Sequence, residues 1–233
     1  MSISVLFLCY NDRETIPKLI KDADRIISRY TSDYEILVID DHSTDGSQAK
    51  LRELDSQYEK LRIILHSENR GYGNTVIHGL KEASKEYFFY TDGDGQYSME
   101  DFPALLNGLK PDTVLVNGYK IVRSDPWYRI LIGNLYNLLM KVLFHIEKVR
   151  DIDCDYRIIK REFFSDYNFY SSSGTICIEL VKVIENSTDS IEEVPVHHYY
   201  REHGSSQFFN IGRLMKVAFH LIMLWIKLIP GGN

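Results

Sequence analysis

Cysteine is scarce in this 233-residue chain, with only Cys9, Cys154 and Cys177. No two are close-spaced, so neither a disulfide framework nor a cysteine-rich zinc cluster is on offer, and the odd number suits a reduced compartment. A basic surplus is missing too. With 27 Lys and Arg against 33 Asp and Glu, the net charge is −6, which argues against a general nucleic-acid binder, whose affinity rests on neutralising phosphates. Any anionic ligand must therefore be held by local groups. No internal repeat or low-complexity segment interrupts the chain, and His197, His198 and His203 match no standard zinc spacing. The opening MSISVLFLCYNDRE has no basic region ahead of its apolar run. That run ends too soon for a signal peptide or a membrane span, so a first strand is expected.

What is there is an alternation. The hydrophobic content of 44% supports one sizeable core. ISVLFLCY is nearly continuous in apolar residues, as a strand buried on both faces requires. After it, Ile16, Leu19, Ile20, Ala23, Ile26 and Ile27 recur at helical spacing. The pattern repeats through YEILVID, a helix with Ala49, Leu51 and Leu54, LRIILH, a helix from Val76 to Ala83, and EYFFYTD. Strand and helix in turn make an α/β fold with a mostly parallel sheet and right-handed crossovers. Ligands of such sheets bind outside the carboxyl ends of the strands. Those ends carry Tyr10-Asn11-Asp12, Asp40-Asp41, Ser67 to Gly73, and Asp92 to Gln96.

The stretch FFYTDGDGQY allows three readings. A polar turn rich in Asp and Gly needs no function. An EF-hand loop fails on spacing, because Tyr97 stands where glycine is needed and Pro103 where the bidentate glutamate is needed. A nucleotide-diphosphate site would use the oxygens of Asp92, Asp94 and Gln96 to hold a hard cation, Mg²⁺ or Mn²⁺, against the phosphates. A dinucleotide fingerprint at Gly71-Tyr72-Gly73 lacks its third glycine, since Val76 stands there, and a cluster of acids without a metal would repel a pyrophosphate.

Taken together, the motifs carry a resemblance to the family 2 inverting glycosyltransferases of the GT-A fold, and within them to the dolichyl- or polyprenyl-phosphate mannose and glucose synthases. LCYNDRETI resembles the family's opening strand and turn, with Asp12 for the usual glutamate and Leu8 for the usual proline. VIDDHSTDGS resembles its base-binding turn, and ENRGYGNTVIHGL the loop and helix after it. DGDGQ is the DxDxQ form of this branch. DIDCDYRIIKREF resembles the acceptor-side segment, and EVPVHHYYREHGSSQF the loop that brings an arginine over the donor. The match spans about residues 3 to 209.

The resemblance implies a GT-A catalytic domain over residues 1–210, Rossmann-like with a sheet flanked by helices, followed by an amphipathic helix within 211–233. It implies a nucleotide sugar as donor, with Asp40 and Asp41 on the base and ribose and Tyr10 and Asp12 lining the base pocket. Asp94 and Gln96 would coordinate Mg²⁺ or Mn²⁺, with Asp92 close enough to serve both cation and nucleotide. Arg201 would add a guanidinium to the diphosphate. Gln207 stands where the family often has a lysine.

For the acceptor, an inverting transfer to a hydroxyl needs a general base. GTICIEL offers Glu179 without an adjacent Asp, and Asp153 is a second candidate. A phosphate acceptor is already ionised and needs no base, so a polyprenyl phosphate fits better. It needs cations, and KIVRSDPWYR supplies Lys120, Arg123 and Arg129, of which the resemblance favours Arg129 and Lys120. The other openings are a hydroxyl acceptor and a subunit that binds nucleotide sugar without catalysis.

A lipid acceptor implies a membrane. Residues 214–229 are almost wholly apolar, but 16 helical residues reach only about 24 Å. With Arg213, Lys216, Lys227 and Trp225, the expectation is a helix lying in or against a membrane surface, against the alternative of a helix packed on the core or on a partner subunit. The expected location is cytoplasmic, peripheral to the cytosolic face of the membrane. WYRILIGNLYNLLMKVLFHI is a second apolar helix, suited to the core or to guiding a lipid.

Overall fold

The computed structural model describes residues 1–124, 126–203 and 211–229. Seven strands form one sheet in the order β3-β2-β1-β4-β6-β5-β7. They are β1 (Ile3–Cys9), β2 (Tyr34–Asp40), β3 (Leu61–Leu65), β4 (Tyr87–Asp92), β5 (Leu115–Arg123), β6 (Tyr156–Lys160) and β7 (Ile191–His198). The helices are α1 (Ile16–Ile27), α2 (Ser47–Asp55), α3 (Tyr72–Glu82), α4 (Phe102–Gly108), α5 (Trp127–Phe144), α6 (Ile176–Ser187) and α7 (Ile211–Leu228).

Every residue of β1 is buried because helices cover both faces of the sheet. Ile3, Val5 and Phe7 point to one side, where they meet Ile16, Leu19, Ile20, Ala23, Ile26 and Ile27 of α1 and Leu51 and Leu54 of α2. Leu6 and Leu8 point to the other, against Val76 and Leu80 of α3 and the inner face of α6. Each such buried aliphatic side chain contributes about 1.5–3 kcal/mol. α1 keeps one stripe inward by its i, i+3, i+4 spacing, so an aspartate at Ile20 would put a charge into the core.

Register sets the working edge. β1 runs parallel to both neighbours, pairing Cys9 with Asp40 and Leu8 with Asp92. The two carboxylates thus stand at one level on either side of β1. β6 runs antiparallel to β4, pairing Thr91 with Tyr156. The chain just before Tyr156 is therefore delivered to the same edge, and with it Asp155 and Asp153.

α5 and α7 differ from the other helices. In α5 only Met140 and Phe144 are buried, whereas Trp127 is 76% exposed, Leu131 60%, Leu135 65% and Val142 63%. In α7, Leu224 enters the core, while Phe219, Ile222 and Ile226 are exposed. The two helices touch through the Trp225 indole, which donates to the Leu143 carbonyl at 2.9 Å. So α7 packs on the body with one face and leaves the other apolar face open. Among the described residues no helix is long and apolar enough to cross a membrane.

Candidate active site

The first turn of the site follows β1. Asn11, at φ 60°, donates from its backbone N–H to Ser43 Oγ at 2.8 Å and accepts from Thr44 N at 2.8 Å. These bonds stitch the Tyr10–Asp12 turn to the turn after β2. Asp40 is fully buried. Its Oδ1 accepts from Ser43 N at 3.0 Å and Gln48 Nε2 at 2.7 Å, and its Oδ2 is buried with no hydrogen-bond partner. A buried carboxylate oxygen in that state is an acceptor awaiting an N–H or O–H. Tyr10, the residue after β1, is 36% exposed at the same edge.

Asp41, expected on the nucleotide, is engaged by the protein itself. Its Oδ1 accepts from Arg70 N at 2.8 Å and faces His66 Nδ1 at 2.8 Å, and its Oδ2 accepts from Gly71 N at 2.9 Å. It therefore shapes the loop before α3. That loop is tight for a second reason. A Cβ at Gly73 would lie 2.5 Å from the Ser173 carbonyl oxygen, so the start of α3 packs directly on the 172–173 backbone.

The second turn follows β4. Gly93 N donates to Leu8 O at 2.7 Å, and a Cβ there would lie 2.5 Å from that same oxygen. Glycine lets the DGDGQ turn close against β1. Asp94 Oδ1 accepts from Gln96 N at 2.9 Å, and its Oδ2 is ion-paired with Arg201. Gln96 exchanges two bonds with Tyr199, donating from its side chain to Tyr199 O at 3.1 Å and accepting from Tyr199 N at 2.8 Å. This is how the segment after β7 comes to lie over the turn. Gln207 lies outside the described residues.

The electrostatics are those of crowded acids. Burial pushes Asp12 up to about 7, with Asp94 and Asp45 adding to it while the Tyr10 N–H and Arg201 oppose. Asp92 is also raised, by burial first and then by Asp155, Asp94 and Asp12, again with Arg201 opposing. Asp12, expected in the base pocket, thus belongs with the acid cluster. Asp155 was not foreseen as a site residue. The signal was the alternation of aspartates in DIDCDY ahead of an apolar strand, mirroring DGDGQ after one.

A hard divalent cation fits this donor set, because it would relieve the repulsion that drives these carboxyls toward the protonated form. Among the described residues no three acids or histidines form a finished metal cage.

On the acceptor side, Lys120 is nearly buried and held by Asp151 at 3.4 Å and the Asp153 carbonyl at 2.5 Å. Burial works against its charge, but the nearby aspartates prevail and hold it above the usual lysine range. Lys120, Asp151 and Asp153 line a cavity of about 160 Å³ with Gly133 and Asn134 of α5 and Arg150. Arg129 lies half-buried in the first turn of α5. The side chain of Arg123 lies outside the described residues. Arg157, wholly buried, donates to the Cys154 and Ile152 carbonyls and so holds the aspartate segment in place.

Glu179 is a correction. Expected as a candidate base, it is fully buried, with Oε1 accepting from Tyr167 Oη at 3.0 Å and Tyr170 N at 2.8 Å, and Oε2 from Ser171 N at 2.7 Å. Its role is to fold the 167–171 segment onto α6.

The family model described as "Glycosyl transferase family 2" matches residues 4–167. The chain belongs to this family. Among curated proteins this glycosyltransferase is 28% identical over 215 residues to a dolichol-phosphate mannosyltransferase of Pyrococcus furiosus, covering 89% of this chain and 59% of that protein. It thus spans well under two thirds of that relative's length. Among solved structures, glucosyl-3-phosphoglycerate synthase of Mycobacterium tuberculosis superimposes with a TM-score of 0.71 at 17% identity, over 95% of this chain and 80% of the other. Mannosyl-3-phosphoglycerate synthase of Rubrobacter xylanophilus gives 0.69 at 14% identity, over 96% and 72%. These likenesses establish the GT-A fold of the glycosyltransferase. The mycobacterial enzyme has also been crystallised with Mn²⁺, UDP and its product.

Proposed function

We propose that this glycosyltransferase moves a hexose from a nucleotide diphosphate sugar, GDP-mannose or a UDP-hexose, to the phosphate of a polyprenyl lipid such as dolichyl or undecaprenyl phosphate, with inversion. The observation that carries the donor half is the acid cluster of Asp12, Asp92, Asp94 and Asp155 at the strand ends, opposed by Arg201. Such a cluster is suited to a diphosphate only through a divalent cation, Mg²⁺ or Mn²⁺. Asp94, Gln96 and Asp92 would hold it, with Asp12 beside them. When bound, the cation supplies Lewis-acid stabilisation of the charge that develops on the leaving diphosphate.

The chain's own groups do the rest. The unpaired Oδ2 of Asp40, once the turn above it yields, and the ring of Tyr10 receive the base and ribose, while Asp41 keeps the 69–71 loop in shape. Arg201 exchanges Asp94 for diphosphate oxygens, a bidentate match for a guanidinium. An acceptor phosphate oxygen attacks the anomeric carbon from the face opposite the diphosphate, and the bonding pair leaves with the diphosphate. Arg129 and Lys120 orient that acceptor phosphate. No proton need be removed, which agrees with Glu179 being locked into the fold.

A lipid acceptor also accounts for the exposed apolar faces of α5 and α7. The two helices carry Arg129, Lys141, Arg213, Lys216 and Lys227 and not one acid, in a chain of net charge −6. That is the character of helices lying on an anionic membrane surface, with Trp225 at the interface. The side chains of Arg213 and Lys216 lie outside the described residues. A peripheral position on the cytosolic face follows from this reading.

One observation favours a second reading, transfer to a hydroxyl. Asp153 is exposed on the wall of the Lys120 cavity, and its crowded surroundings, Asp155 and Asp151 against Lys120, raise its carboxyl above the usual aspartate range. A carboxylate titrating there is well suited to take a proton. The deciding experiment incubates the protein with Mn²⁺ or Mg²⁺, radiolabelled GDP- and UDP-hexoses, and either short polyprenyl phosphate in detergent or phosphoglycerate. Metal-dependent label in the lipid phase supports the first reading; label only in phosphoglycerate supports the second.

A further inference from the structure

Two histidines lie behind the donor edge in a continuous line of contacts that the transfer chemistry does not use. His66, the residue after β3, is 3% exposed. Its Nδ1 faces Asp41 Oδ1 at 2.8 Å, and its Nε2 faces His78 Nδ1 at 2.8 Å. The rings stack with centroids 5.1 Å apart and an 18° interplanar angle. His78, on α3, points its Nε2 toward Glu82 Oε1 at 3.7 Å.

Hydrogen-bond bookkeeping fixes both tautomers. A carboxylate can only accept, and Asp41 already takes Arg70 N and Gly71 N. His66 must therefore present Nδ1–H to it. Its Nε2 is then bare and needs a donor, which His78 Nδ1–H supplies. A second proton in the His66–His78 contact would set two N–H groups face to face and break it. The charged groups around the rings are Asp41 from the end of β2, Arg62 from β3, Arg70 from the loop and Glu82 from α3 itself. Burial, His66, Arg70 and Arg62 hold His78 below the usual imidazole range, against Glu82. The neutral form of His78 is therefore favoured, and it keeps the Nδ1–H that His66 needs.

We propose that His66 and His78 are positioning residues for the nucleotide donor. His78 anchors the ring of His66 through Nε2, His66 orients Asp41, and Asp41 holds the backbone of Arg70 and Gly71 in the shape that lines the donor edge. This role rests on the reading that the nucleotide lies across these strand ends. Without the donor from His78, the buried Nε2 of His66 is left unpaired and nothing holds the ring square to Asp41, which loosens the loop at the point where it meets the ligand.

The test titrates UDP and GDP, each with Mn²⁺, into the full chain and its His78→Leu and His78→Gln variants. Leucine removes the donor to His66; glutamine restores an N–H at similar reach. His78→Leu should weaken binding of the preferred nucleotide and raise KM for its sugar about tenfold, the loss expected from one ordering hydrogen bond. Its kcat should stay within about twofold, because nothing made only in the transition state is touched. His78→Gln should return to near wild type. Imidazole ¹⁵N shifts should report the Nδ1–H tautomer of His66 in all three proteins, with the His66 Nε2 resonance moved to that of an unbonded lone pair in the leucine variant alone. Wild-type affinity in His78→Leu would overturn the proposal, as would a glutamine variant as weak as the leucine one. A wild-type protein that binds neither nucleotide would remove the donor reading itself, and this role with it.

Discussion

Arg201 and Asp94, 107 positions apart in sequence, are joined in an ion pair from the guanidinium to Oδ2. The pair ties the segment after β7 to the turn after β4. On the proposed mechanism, donor and cation compete with this pair for both partners. Asp94→Ala should lower turnover at least about a hundredfold, the scale of losing a group that stabilises transition-state charge, with little change in melting temperature. Transfer of label from nucleotide sugar measures it. Unchanged transfer would remove the metal mechanism.

The raised carboxyl of Asp12 gives stability a pH dependence of definite sign. Burial pushes it up to about 7, above the ordinary aspartate value of 3.8. The folded state thus holds a proton that the unfolded chain releases, and this contribution is full below about 4 and lost as pH rises through about 7. Without metal, the melting temperature should be eroded by this group over that window. Mn²⁺ should stabilise more at pH 8 than at pH 5.5, because its ligands must be deprotonated. Thermal melts with and without chelator test this. In Asp12→Asn the metal-free loss at high pH should shrink; an identical profile would mean the acids do not crowd one another.

Glu179 should behave as a structural residue. Glu179→Ala strips acceptors from the backbone N–H groups of Tyr170 and Ser171 in a buried setting and should cost about 2–4 kcal/mol of stability. Activity per folded molecule should persist at low temperature. Loss of turnover in a protein that melts like wild type would restore its candidacy as a base.

The exposed stripe of α5 predicts a separable membrane phenotype. Leu135 is 65% exposed and Leu138 59%, so changing both to glutamate should leave the melting temperature almost unaltered. Flotation with vesicles of phosphatidylglycerol and phosphatidylcholine should nonetheless be lost. Equal flotation of wild type and variant would place the lipid contact elsewhere.

Gly73 offers a check on how the loop before α3 is held. An alanine there would press on the Ser173 backbone, which cannot swing aside as a side chain can. The expected result is destabilisation of about 1–3 kcal/mol together with weaker nucleotide binding. A variant equal to wild type in both would show that the contact yields freely.

Much of this was written in local pattern. The apolar runs of β1, β2 and β4 announce buried parallel strands, and parallel strands put their carboxyl ends on one edge. Asp40, Asp92 and Asp94 could therefore be located there without coordinates. Asp155 could not, because its arrival depends on β6 running against β4, and an apolar run carries no sign of direction. Glu179 and Asp41 show the same limit from the other side. Glu179 stands where a candidate base was expected and Asp41 where a nucleotide contact was expected, and each is taken up by backbone N–H groups that only the path of a neighbouring loop brings near.

The sequence by itself determined the fold class, the donor edge and the acids in its turns, because strand burial, helical periodicity and turn chemistry are properties of consecutive residues. Tertiary structure alone decided which of those acids remain open, which cations meet them, and that α5 and α7 leave their apolar faces uncovered. Hydrogen-bond satisfaction and burial depend on what lies across a gap, and residues far apart in the chain supply it.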